Sequence, residues 1–104
     1  MKNTDVFRIN RKVRIIASQL IHLVSNLNYT YIFTLESQHL HTKTLKIVTE
    51  RLKGINFFKV RRGLMVNKEF INRINYNKIN PYVELNNGVK FLISRRVFKD
   101  LMHS

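Results

Sequence analysis

Most of the chain consists of short runs of β-branched and aromatic residues that are separated by polar turns. Such residues suit half-buried pleated surfaces, so the pattern favours strands over helices for most of the chain. The strands predicted in this way cover residues 6–9, 13–16, 20–24, 29–35, 39–42, 57–60, 64–66, 70–74, 82–85 and 89–93. The turn Asn86-Asn87-Gly88 predicts a hairpin between the last two strands, because Asn-Gly supplies the positive φ angles that tight turns need.

The periodicity changes to that of a helix in the middle of the chain. Apolar residues at i, i+3 and i+7, from Leu45 to Leu52, predict a helix of about three turns. Thr44 or Thr42 can cap its start, and Gly54 is expected to close its end in a left-handed conformation.

A second, short helix is predicted at the C-terminal end of the chain. Ser94 can cap it, and Val97, Phe98 and Leu101 form its apolar face. Strands and two helices in this order define a β-rich α+β class. The chain shows no linker and no repeat, so residues 1–104 are expected to form one domain.

The charge of the chain limits the partners that it can have. It carries 19 Lys+Arg against 6 Asp+Glu, a net charge of +13, with 44% hydrophobic residues. That hydrophobic content excludes a disordered basic tail. A compact domain this basic repels itself unless polyanions are near, so nucleic acid is the leading partner and an anionic membrane surface the next. The membrane is disfavoured, because the sequence has no long amphipathic helix with a basic face and no apolar run of about 20 residues.

The same composition argues against catalysis. The six acidic residues lie far apart in the sequence, whereas metal-dependent nucleases cluster their carboxylates. The chain has no cysteine, which excludes disulfides, thiolate zinc sites and cysteine nucleophiles, and favours the cytoplasm. His39 and His41 share a strand face, but no third ligand accompanies them. We therefore expect no enzyme, no catalytic residue, no metal, no cofactor and no small-molecule substrate.

Two clusters of cations indicate where a polyanion binds. Arg95 and Arg96 directly follow the capping Ser94, although cations oppose the positive end of the helix dipole. An anion would resolve that conflict, either as a phosphate or as the edge of a guanine. The second cluster, Lys59 with Arg61 and Arg62, crowds the turn between two predicted strands.

The order of these motifs resembles the LytTR DNA-binding domain of bacterial response regulators. The similar segments are Leu23 to Thr30, Phe57 to Asn67, and Leu85-Asn86-Asn87-Gly88 followed by Ile93-Ser94-Arg95-Arg96, with the predicted helix between the first two. They extend over about residues 6 to 103. Two positions depart from the family, Arg61 where histidine is usual and Gly63 where serine is usual, which puts the preferred DNA sequence in doubt.

The resemblance implies an elongated arrangement of small antiparallel sheets, with loops that enter successive major grooves of DNA. It implies sequence-specific transcription regulation, and tandem half-sites on which two copies could bind side by side as a homodimer. The regulators of this family also carry a receiver domain, for which these 104 residues have no room. The chain is therefore either a free-standing regulator or part of a longer one.

The site residues that the resemblance implies lie in three places, the loop Asn28-Tyr29-Thr30, the turn at Arg61-Arg62 and the start of the last helix. Thr30, Arg62 and Arg95 are the candidates for contacts with or near bases, and Asn28 and Thr30 could also donate to phosphate. Lys59, Arg61, Arg96 and Lys99 are the candidates for phosphate contacts.

Several interpretations remain open from the sequence. Tyr29 and Tyr31 share one strand face, which is either core, the favoured interpretation, or a platform against DNA. Asn67 more readily fixes a turn than contacts DNA. Exposed aromatic residues on a β-surface also suit an RNA or single-stranded nucleic-acid-binding module, and a module that binds an acidic protein is a further alternative.

Overall fold

The computed structural model describes residues 6–103. The strands are β1 (Val6–Arg8), β2 (Arg14–Ile16), β3 (Leu20–Asn26), β4 (Tyr29–Thr34), β5 (Gln38–His41), β6 (Phe57–Arg61), β7 (Leu64–Asn67), β8 (Ile71–Asn75), β9 (Tyr82–Leu85) and β10 (Lys90–Leu92). The helices are α1 (Leu45–Arg51) and α2 (Arg95–Met102), and single 3-10 turns cover Ala17–Gln19 and Lys68–Phe70. Neither α-helix is long and apolar enough to cross a membrane, as judged over the described residues.

The strands form three small antiparallel sheets, as expected. The central sheet has the order β5-β4-β3-β7-β6, the second sheet β10-β9-β8, and the third is the β1–β2 hairpin. The molecule measures 44 × 27 × 22 Å, which confirms the elongated β-rich α+β fold with one central and one C-terminal helix.

The central sheet is covered on both faces. One hydrophobic cluster joins the inner residues of β3 and β4 to α1 and the β1–β2 hairpin, and includes Leu20, Leu23 and Val48. The other joins β6 and β7 to the second sheet and α2. Leu20 and Leu23 lie on the same face, although they are three positions apart, because the register with β4 shifts between Leu20 and His22.

The two predicted helices are confirmed, with one correction. The side chain of Thr44 caps α1, and that of Ser94 caps α2 by accepting the backbone N–H of Val97 at 3.2 Å. Val48 and Leu52 are fully buried, as the apolar stripe predicts. The expected left-handed Gly54 is wrong, since the positive φ angles among residues 6–103 belong to Leu27, Gly63 and Gly88. Helix α1 ends one residue earlier than expected, with Leu52 as its C-cap, so Gly54 lies outside the capping geometry.

His22 connects the central sheet to the second one. Its ring stacks on Phe33 with centroids 4.3 Å apart and meets the edge of Phe91 on β10 at 5.2 Å. Its Nδ1 is buried and accepts no hydrogen bond from any described residue. Because burial penalises the imidazolium, the pKa of His22 falls from 6.5 to about 4.

This lowered pKa predicts a loss of stability in acid. The unfolded chain binds a proton at position 22 below about pH 6.5, whereas the folded protein resists it until about pH 4. Because protonation of His22 favours the unfolded chain, the free energy of unfolding should decrease as the pH falls from 6.5 to 4. We expect a loss of about 1 to 2 kcal/mol, allowing for partial exposure of the ring. Thermal melts of the wild type and His22→Phe across this range check it, since the variant should show a shallower fall in Tm. An equal fall in Tm with pH for both proteins would contradict the lowered pKa of His22.

Candidate nucleic-acid interface

The β6–β7 hairpin presents the first group of predicted cations. Its two-residue turn is Arg62-Gly63, and Gly63 has a φ of +85°, which favours glycine. Phe58 and Val60 face the core, so Lys59 and Arg61 lie exposed on the opposite face of the strand. Alternation along β6 thus places the basic side chains outside and the apolar ones inside.

The start of α2 is attached to the same hairpin. The pairing of β6 with β7 shifts between Lys59 and Arg61 and passes over Val60. The carbonyl of Val60 instead accepts the backbone N–H of Ser94 at 3.1 Å. This bulge therefore places the start of α2, with Arg96, beside Arg61 and Arg62.

The β3–β4 hairpin lies on the other side of the β6–β7 turn. The backbone N–H of Ser25 donates to the carbonyl of Gly63 at 2.8 Å, and a Cβ on Gly63 would lie 3.3 Å from that of Ser25. The tip of this hairpin is Leu27-Asn28, with Leu27 88% exposed at a φ of +56°. Asn28 is also exposed. We call the three adjoining elements, the Leu27-Asn28 tip, the Arg62-Gly63 turn and the Ser94–Arg96 start of α2, the loop surface.

Two expectations for this hairpin are corrected. Thr30 is fully buried, and its hydroxyl donates to the carbonyl of Lys43 at 2.8 Å. Its side chain therefore holds the segment before α1 and is not exposed for the base or phosphate contact that the resemblance implied. Tyr29 is 45% exposed, so the core interpretation is wrong for this residue, because Thr30 and Ile32 occupy the buried face of β4.

The structure brings most of the predicted cations together. Lys59, Arg61, Arg62 and Arg96 line one open groove of about 1010 Å³ between β6 and α2. Arg95 lines a neighbouring groove, on the other flank of the helix. Lys99 is exposed one turn further along α2. The apolar residues of this helix, Val97, Phe98 and Leu101, pack against the hydrophobic cluster formed by β6, β7 and the second sheet.

The arginines of this surface form no ion pairs with the described residues, although Asp100 lines the same groove as Arg96. Within residues 6–103, none of Arg61, Arg62, Arg95 and Arg96 forms an ion pair, whereas Arg73 and Lys90 both approach Glu84, at 3.8 and 4.0 Å. The first turn of α2 contains no acidic residue, so both arginines oppose the helix dipole there. An anion bound at the start of α2 would reduce both the repulsion among the unpaired arginines and their unfavourable interaction with the helix dipole.

Sequence reasoning missed two cationic elements beside the loop surface. Lys43 is exposed and joined to the β3–β4 hairpin through the Thr30 hydroxyl. The β8–β9 loop, residues 76–81, adjoins the start of α2 because the carbonyl of Pro81 accepts the N–H of Ile93 at 2.9 Å. Neither element carries a local motif, and only the pairing of distant segments places them here.

Two other possibilities from the sequence, a functional Asn67 and a metal site, can be compared with the structure. Asn67 is buried, its Oδ1 accepts the N–H of Glu69 at 3.0 Å, and its Nδ2 donates to the carbonyl of Leu20 at 2.8 Å. The turn-fixing interpretation is thus confirmed. Among residues 6–103, no group of three side chains is arranged to hold a metal.

Together, the fold and this surface define a β-rich domain that presents basic loops to a polyanion. Comparison with known proteins identifies the family. The model of the LytTr DNA-binding domain matches residues 10–104, so the chain belongs to that family of DNA-binding domains, which serve bacterial transcription regulation. Its fold is similar to a LytTr DNA-binding domain from Bacillus cereus, with a TM-score of 0.72 and 18% identity over 99% of this chain and 96% of that one. No curated protein sequence matches the chain.

The buried hydroxyl of Thr30 provides a test of the correction above. In Thr30→Val, the carbonyl of Lys43 loses its donor, and we expect a loss of about 1 to 3 kcal/mol in the free energy of unfolding. Thr42→Val, at an exposed position nearby, should change stability by less than about 0.5 kcal/mol. Chemical denaturation measures both. A Thr30→Val protein of unchanged stability and altered DNA preference would restore Thr30 as a base contact.

Proposed function

We propose that this domain binds double-stranded DNA sequence-specifically, as a cytoplasmic transcription regulator, by inserting the loop surface into successive major grooves. The observation that carries the proposal is the adjacency of three elements that lie far apart in the sequence. Two backbone hydrogen bonds, from Ser25 to Gly63 and from Ser94 to Val60, hold them side by side. The resulting row presents arginines that form no ion pair within the described residues.

The dimensions of the molecule suit this mode of binding. Its longest extent of 44 Å corresponds to about 13 base pairs, and successive major grooves on one face of DNA lie about 34 Å apart. The molecule is therefore long enough to span two major grooves when its long axis follows the DNA. Two copies on tandem half-sites would bind side by side, which is the arrangement we propose for a homodimer.

The side chains divide into two roles. We assign Arg62 and Arg95, which stand at the turn and at the helix start, to base edges, where a guanidinium can bind guanine O6 and N7 together. Lys59, Arg61, Arg96 and Lys99 are assigned to phosphates, with Asn28 and Tyr29 at the flanking hairpin. Phosphate contacts position the domain but do not specify the sequence.

Exposure of Tyr29 favours one second candidate function. A half-exposed tyrosine beside basic residues could stack on an unpaired base, as in RNA or single-stranded DNA binding. Such platforms stack successive bases on several aromatic residues, whereas among residues 6–103 one exposed tyrosine, Tyr29, flanks the tip of the β3–β4 hairpin and another, Tyr76, begins the β8–β9 loop. Duplex DNA therefore remains the better-supported ligand.

The number of cations on this surface predicts a steep salt dependence. If about six cations neutralise phosphates, the slope of log affinity against log salt should be near −5, or about a thousandfold between roughly 50 and 200 mM. Fluorescence anisotropy with a labelled duplex measures this slope, and a single strand of the same length serves as the competitor. A slope shallower than about −2 would contradict the proposal, and preferential binding of the single strand would favour the alternative.

Arg95 should affect specific binding more than non-specific binding. After selection of a preferred duplex from random DNA, Arg95→Ala should weaken binding to that duplex by about 1 to 3 kcal/mol and binding to random duplex much less. Lys53→Ala, an exposed cation beyond the end of α1, removes the same charge away from the loop surface and should weaken both equally. Equal losses for Arg95→Ala on the two duplexes would make Arg95 a phosphate contact.

A further inference from the structure

The β8–β9 loop exposes a large apolar side chain beside the loop surface. Ile79 is 83% exposed, and only Leu27, at the opposite flank of the same surface, is more exposed among the large hydrophobic residues of the described chain. A branched aliphatic side chain in this position gains nothing from the fold of the domain. Its neighbours indicate what it contacts.

Ile79 lies next to the arginine that we assign to a base edge. The carbonyl of Pro81 accepts the N–H of Ile93, two residues before Arg95, which fixes the end of the loop against the start of α2. Ile79 and Arg95 line the same open groove of about 620 Å³, together with Leu92 and Phe98. An apolar patch therefore lines the groove that contains Arg95, whereas Arg62 lines the neighbouring groove.

The loop holds Ile79 in a defined conformation. The side-chain oxygen of Asn77 accepts the N–H of Ile79 at 2.8 Å, and that of Asn75 accepts the N–H of Asn77 at 2.9 Å. These local bonds replace the pairing that a loop lacks, so little further ordering is required when a ligand binds.

The charges around the patch point to DNA as the ligand. Lys78 precedes Ile79 and lines the same groove as Arg95. An apolar patch that lies between Lys78 and Arg95 is complementary to a ligand whose surface combines phosphates with apolar groups. In the major groove of DNA the apolar group is the C5-methyl of thymine, which aliphatic side chains contact.

We propose that Ile79 contacts the C5-methyl group of a thymine beside the base pair that Arg95 binds, while Lys78 contacts the adjacent phosphate. The β8–β9 loop is thus a fourth DNA-contacting element and adds a thymine preference next to the Arg95-dependent position. This inference rests on the proposed function, because it requires the loop surface to face the major groove.

The experiment uses deoxyuridine, which lacks only the C5-methyl group. In the duplex selected from random DNA, each thymine is replaced in turn by deoxyuridine, and binding of the wild type, Ile79→Ala and Leu35→Ala is measured. Leu35→Ala is the matched control, because Leu35 is 59% exposed at the other end of the central sheet, where its N–H binds the carbonyl of Gln19. Melting temperatures verify that each variant is folded.

We expect one replacement beside the Arg95-dependent position to weaken wild-type binding about fourfold, the value of one buried methyl group. Ile79→Ala should lose a similar factor on the thymine duplex and nothing further on the deoxyuridine duplex. Leu35→Ala should behave like the wild type on both.

Three results would overturn the inference while leaving the proposed function intact. One is Ile79→Ala binding like the wild type, and another is a selected site with no thymine beside the Arg95-dependent position. The third is an equal loss for Ile79→Ala on both duplexes, which would indicate a contact with the sugar-phosphate backbone or a second copy of the chain. Wild-type protein that binds the selected duplex no better than random duplex would contradict the proposed function itself.

Discussion

The pairing of β3 with β7 is the interaction on which the loop surface depends. These strands lie far apart in the sequence, and their antiparallel register, with Val24 opposite Leu64, places the ends of two hairpins next to each other. The bond from Ser25 to Gly63 continues this ladder into the turn. The bulge at Val60 then provides the carbonyl that attaches α2. Each of these backbone contacts fixes the position of one basic element relative to the next.

This placement of the basic elements has an electrostatic consequence. The fold holds Arg61, Arg62 and Arg96 around one groove. It also places Arg95 and Arg96 against the positive end of a helix dipole, and both arrangements cost stability in the free protein. Condensed counterions around DNA are released when such cations bind phosphates. The free energy that the isolated domain loses to repulsion is thus recovered on binding. Four exposed cations of the β1–β2 hairpin lie outside the loop surface and have no assigned DNA contact, but they add to the long-range attraction for a polyanion. They are Arg8, Arg11, Lys12 and Arg14.

Local signals in the sequence predicted most of the fold. The Asn-Gly hairpin, both helix caps, the apolar stripe of α1 and the ten strands depend on residues close in sequence, and the structure confirms them. The errors arose where distant segments decide the outcome. The hydrophobicity of Thr30 and Tyr29 does not reveal which face of β4 meets α1, and tertiary packing buries the threonine and exposes the tyrosine. Lys43 and the β8–β9 loop reach the loop surface only through long-range hydrogen bonds, which no local pattern encodes.

Backbone amide chemical shifts during titration with a selected duplex test the central claim most directly, because they report on every loop at once. The account predicts large shifts at Asn28, Gly63 and Arg96, on the loop surface. It predicts small shifts at Ser37 and Asn87, since the β4–β5 and β9–β10 turns lie at the opposite ends of their strands. Shifts concentrated at the β4–β5 and β9–β10 turns, with the loop surface unchanged, would contradict it.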